Sequence, residues 1–149
     1  MKTASKPARR MASPEFPSLE AFEAGTLDHG AFDHVAHVFI AWRLLEENSL
    51  AQATGRFLAA LKQLTQKLGI ESKYHETISC FYLALIAERR SEMPGLNWET
   101  FAQQNPDLLV PAPKLLEKYY SPDRLWSDLA RRQFLLPDRN PQAGNDLPT

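Results

Sequence analysis

Phe32-Asp33-His34-Val35-Ala36-His37-Val38-Phe39-Ile40-Ala41-Trp42-Arg43-Leu44-Leu45-Glu46-Glu47 carries an apolar pattern with the period of a helix. At 100° per residue, His34, His37, Ala41, Leu44 and Leu45 fall within one arc, and Arg43 and Glu46 fall opposite. Phe32, Val35, Val38, Phe39, Ile40 and Trp42 are also apolar, so the helix is expected to be central and covered on several sides. It is predicted to begin near residues 28–31 and to run to Glu47. Two imidazoles spaced three apart then share a face that a helix normally reserves for apolar groups. An unsatisfied buried imidazole costs about 1–3 kcal/mol, so this pair must be hydrogen-bonded, metal-bound or catalytic.

Working outward, Ser49-Leu50-Ala51-Gln52 fits a capping box, opening a second helix that Gly69 stops near Leu68. Its stripe is Leu50, Ala53, Phe57, Leu61, Leu64 and Leu68. A third helix is predicted over 72–90, with Tyr74, Ile78, Phe81, Tyr82 and Leu85 inward and His75 in its first turn. Ser18 can cap a short helix ended by Gly25, and Asn97 another, broken at Asn105-Pro106. Pro113 is expected to start a helix through Tyr120. Ser121-Pro122-Asp123 restarts one whose core stripe is Leu125, Trp126, Leu129 and Ala130. No β-branched alternation interrupts this pattern. The fold class is therefore all-α, a compact helical bundle of three long helices plus several short ones.

The chain divides into a proline-marked basic arm at 1–17, a bundle domain at 18–137 and a flexible tail at 138–149, both ends being too polar to offset their ordering entropy. Phe134, Leu135 and Leu136 are expected to anchor the start of the tail. A chain of 149 residues with 44% hydrophobic content suits a single core. Its formal charge of −1 provides no basic stripe for nucleic acid or anionic membrane. No apolar run matches a signal-peptide core or membrane span, and the single cysteine, Cys80, suits a reducing cytoplasm as a small buried hydrophobe. The expected partner is a small-molecule substrate; oligomeric state is left open.

His34 and His37 can share a metal, and His75 can complete a three-histidine set that leaves coordination positions open. Zinc or iron is the divalent ion expected there. Glu76 or Tyr82 would move protons, although Glu76 projects about 100° from His75 and an acid in a first turn also stabilises a helix by itself. No Glu-x-x-His pair, His-Glu-x-x-His, phosphate-cradling glycine loop or Gly-x-Ser-x-Gly elbow occurs. Two readings stay open: a mononuclear metal-dependent enzyme, and a non-catalytic ligand-binding or interaction module whose histidines form a structural network. Arg43 and Arg56 read as surface ion pairs with Glu46 or Glu47. Trp42, Trp98 and Trp126 are too scattered in sequence to suggest a stacking platform.

Phe32-x-His34-x-x-His37, Ala41-Trp42, Lys73-Tyr74-His75-Glu76-Thr77-Ile78-Ser79, Tyr119-Tyr120-Ser121 and Phe134-x-x-Pro137-Asp138 together resemble a functionally unassigned group of small helical bacterial proteins, over residues 27–138. That resemblance implies a compact helical domain and carries no activity. The chain is more loosely similar to DinB-like bundles, in which three histidines hold a divalent metal. It departs from them in lacking a His-x-x-x-His on its last helix, and no ligand set is carried over.

Overall fold

The computed structural model describes residues 16–111 and 114–141, and among these the chain is helical with no strand. The helices are α1 (Leu19–Ala24), α2 (His34–Glu47), α3 (Leu50–Lys67), α4 (Glu76–Glu92), α5 (Trp98–Gln104), α6 (Pro122–Leu125) and α7 (Asp128–Arg132), joined by 3-10 turns. The three long ones have 14, 18 and 17 residues and form the bundle. Most of the basic arm at 1–17, Pro113 and the tail beyond residue 141 lie outside the described residues.

Capping chemistry fixes most boundaries. Ser18 and Gly25 close α1 as expected, with Gly25 at φ 72° supplying the left-handed turn. The capping box at Ser49 and Gln52 is present at the start of α3. Asn97 caps α5. Two long helices begin later than their apolar periods imply. Asp33 accepts from the Ala36 amide at 2.9 Å, so α2 starts at His34, and residues 29–31 are a 3-10 turn. Tyr74 is extended, so α4 starts at Glu76, with His75 as its cap rather than in its first turn. The helix expected from Ser121 through Arg132 is two short ones. Ser127 intervenes as a second N-cap, accepting from the Ala130 amide. That break rotates the expected stripe: Leu125 and Ala130 are buried, whereas Trp126 and Leu129 are exposed. Among the described residues of the segment expected to be helical from Pro113 to Tyr120, only Leu116–Lys118 is helical, as a 3-10 turn.

α2 is central, with Ala36, Val38, Phe39, Ile40, Ala41, Trp42 and Leu44 buried. It packs on α3 and α4, and α4 packs in turn on α3 and α7. Trp42 and Trp98, distant in sequence, meet at 5.7 Å between ring centroids, with Phe39 and Phe101 alongside. Both rings are buried core, so they offer no surface for stacking bases. Leu50, expected in the α3 stripe, is exposed.

The carboxyl end is a strap tied mainly by backbone. Thr77, fully buried, donates its hydroxyl to Gln133 O at 2.9 Å and accepts from the Leu135 amide at 3.1 Å. Tyr120 donates to Leu135 O, and Arg124 to Leu136 O. Asp138 accepts from both the amide and the hydroxyl of Ser121, each at 2.7 Å. The side chains of Phe134 and Leu136, expected to anchor this segment, are instead exposed. The Thr77, Tyr119-Tyr120-Ser121 and Pro137-Asp138 motifs thus meet at one clasp.

Candidate functional site: a cavity beside His37

The three histidines have three different environments. His34, the first residue of α2, donates from Nε2 to the carbonyl of Leu108 at 2.9 Å and sets its ring edge-on to Tyr82. His75 is buried and uses both ring nitrogens. Its Nδ1 accepts from the Ile78 amide at 3.2 Å, which places the proton on Nε2, and Nε2 donates to Leu125 O at 2.7 Å. His37 lies between Phe32 and Phe57, at centroid separations of 5.3 Å and 4.8 Å. Among the described residues its ring nitrogens meet no hydrogen-bond partner.

Burial lowers the pKa of all three, and for His37 it does so to about 3, with the neighbouring His34 acting in the same direction. Each is therefore a neutral imidazole near pH 7. His34 and His37 are 6.5 Å apart by ring centroid. The helical spacing does bring them to neighbouring positions, but His34 is bonded to Leu108 O while His37 meets no partner among the described residues. Among the described residues, no group of three or more His, Cys, Asp or Glu side chains is placed to hold a metal ion. A metal on His75 would have to displace a backbone bond, whereas His34 keeps its Nδ1 without a partner among the described residues.

His37 and His75 do line one cavity of about 290 Å³ between α2, α3 and the start of α4. Its walls are mainly apolar: Phe32, Leu61, Leu64, Leu68, Ile70 and Ile78. Thr65 also lines it, but its hydroxyl donates within α3, to the carbonyls of Leu61 and Lys62. Ser79 lines it and is buried, and no hydrogen-bond partner for its hydroxyl exists among the described residues. The cavity thus holds two polar groups, His37 and Ser79, that have no hydrogen-bond partner among the described residues, in an apolar setting.

No family model, curated protein or solved structure matches this chain. The geometry of the site therefore carries the functional argument alone.

The two expected proton carriers lie elsewhere. Glu76 accepts from the Tyr74 hydroxyl at 2.8 Å, stands 3.6 Å from Lys62, and lines a separate surface cavity with Arg131 and Arg132. The Tyr82 hydroxyl is sealed in the core without a partner among the described residues and is pushed up to about 12 by burial, with Asp107 adding to the shift. Burial also raises the half-buried Cys80 thiol to about 11, with Glu76 adding to it. Arg43 pairs with Glu46 as expected, whereas Arg56 reaches across to Glu23 on α1. Ser79 was legible only indirectly: it lies four residues after His75, and so on the same side of a helix. Leu68 ends the expected α3 stripe as that helix's C-cap, whereas Ile70 belongs to the turn after it, which no helical period reveals.

Proposed function

We propose that this protein is a non-catalytic small-ligand-binding module, in which His34 and His75 are structural ties and His37 faces the ligand. The observation that carries this reading is the contrast among the imidazoles. Both nitrogens of His75 and the Nε2 of His34 are tied to backbone groups, and His37, beside an apolar cavity, has no partner among the described residues. Ligand sites commonly combine apolar walls with a few convergent polar groups, and their volumes begin near 300 Å³. The near-neutral charge supports a small molecule over a polyanion as the partner. We place the protein in the cytoplasm, because its lone thiol suits a reducing compartment. No helix among the described residues is long and apolar enough to cross a membrane.

The test is element analysis of protein purified without a histidine tag, paired with a fragment screen read by methyl and imidazole NMR. We expect metal far below one ion per chain, a melting temperature unmoved by chelator, and fragment-induced shifts at His37 and Ile78. Stoichiometric zinc or iron that disappears in both His34→Ala and His75→Ala would overturn the proposal in favour of a metal centre.

A further inference from the structure

We infer that the His37 cavity takes an uncharged amphiphile about two rings in size, whose single hydroxyl is held between the His37 imidazole and the Ser79 hydroxyl. This inference rests on the ligand-binding reading and assigns the ligand's chemical class.

Size comes first. The cavity measures about 290 Å³, roughly twice the ~150 Å³ apolar cavity that accepts one benzene ring. A single small polar molecule would leave most of the apolar wall unfilled, so the body of the ligand must itself be apolar.

The polar head follows from the unpaired groups. Of the polar side chains lining the cavity, Thr65 is committed to two carbonyls, Tyr74 to Glu76, and His75 to Ile78 and Leu125. Lys73 is exposed at the rim. His37 and Ser79 remain. A neutral imidazole offers one donor and one acceptor, and a serine hydroxyl offers both. A ligand hydroxyl, which also donates and accepts, satisfies the pair at once, whereas a ketone or ether accepts only. A carboxylate would enter without a buried cation to meet it, because the burial that holds His37 neutral denies it that role.

The experiment is a calorimetric titration of the full chain at neutral pH with three probes of one shape: 2-naphthol, naphthalene and 2-naphthoate. The His37 imidazole carbon resonance is followed in parallel. We expect 2-naphthol to bind about 3- to 10-fold more tightly than naphthalene, the range one neutral hydrogen bond supplies. It should bind at least about tenfold more tightly than 2-naphthoate. In His37→Phe the preference for 2-naphthol over naphthalene should shrink to within about twofold, and Ser79→Ala should reduce it in a second variant that barely changes volume. Equal affinity for naphthol and naphthalene in the parent protein, or tightest binding of the naphthoate, would overturn the assignment of a hydroxyl while leaving the cavity a ligand site. Failure of all three to bind or to shift the His37 resonance would remove both the assignment and the ligand-binding reading beneath it.

Discussion

His75 links two distant parts of the chain: its Nε2 donates to the carbonyl of Leu125, 50 residues away, while its Nδ1 caps α4. One ring thus fixes where α4 begins and where α6 docks. Trp126 sits edge-on to the same imidazole at 5.6 Å, which orders the chain just after α6.

Replacing His75 with Ala therefore removes a helix cap, at about 0.5–2 kcal/mol, and strands a buried carbonyl, at about 1–3 kcal/mol. The expected loss is about 2–4 kcal/mol in urea denaturation. His75→Asn retains a capping oxygen but cannot reach Leu125, and should recover about 1 kcal/mol of that loss. Equal destabilisation by the two variants would show that the cap contributes nothing.

His37 should behave in the opposite way. Its ring is stacked on Phe32, tilted against Phe57 and makes no hydrogen bond among the described residues, so His37→Phe swaps an unpaired polar ring for an apolar one of similar shape. Stability is expected to stay within about 1 kcal/mol of the parent or to rise. His34→Ala, which frees Leu108 O, should cost about 1–3 kcal/mol. Differential scanning calorimetry of the two variants separates a cavity-facing imidazole from a structural one.

The architecture was legible because its signals are local. Ser18, Ser49 and Asn97 are caps that act within one turn, and the glycines after α1 and α3 supply left-handed φ that other residues avoid. The site was less legible. Spacing placed His34 and His37 side by side, but which nitrogen meets which carbonyl depends on Leu108 and Leu125, contacts 74 and 50 residues away. An apolar period also cannot show that His75 lies one residue before its helix. The strap was invisible for the same reason. Apart from Leu135, its apolar side chains point outward, and what holds it are backbone carbonyls and amides that every sequence has.

Acid should destabilise the fold through the histidines. In the unfolded chain each titrates near 6.5, while in the folded chain His37 titrates at about 3 and His34 and His75 are also lowered. Between about pH 6.5 and the folded values the unfolded state binds protons that the native state refuses, so stability is full above this window and falls as pH drops through it. The slope should approach about 1.4 kcal/mol per pH unit for each histidine involved. Urea midpoints taken from about pH 7.5 to about pH 4.5 report it, and His37→Phe should flatten the curve by one proton. An unchanged slope in that variant would mean that His37 is protonated in the native state.

The strap over α4 hangs on side chains that can be removed one at a time. Thr77→Val keeps the shape of a fully buried residue while deleting the hydroxyl shared by Gln133 O and the Leu135 amide, and should cost about 1–3 kcal/mol. Asp138→Ala removes both bonds to Ser121 at an exposed position, so its effect should be local: little change in the melting temperature, but faster proteolytic cleavage within residues 133–141. The two variants distinguish a strap that opens by itself from one that unfolds with the bundle. If Asp138→Ala is cut no faster than the parent chain while Thr77→Val is both less stable and more easily cut, the strap opens only with global unfolding, and its hydrogen bonds belong to the same cooperative unit as the core.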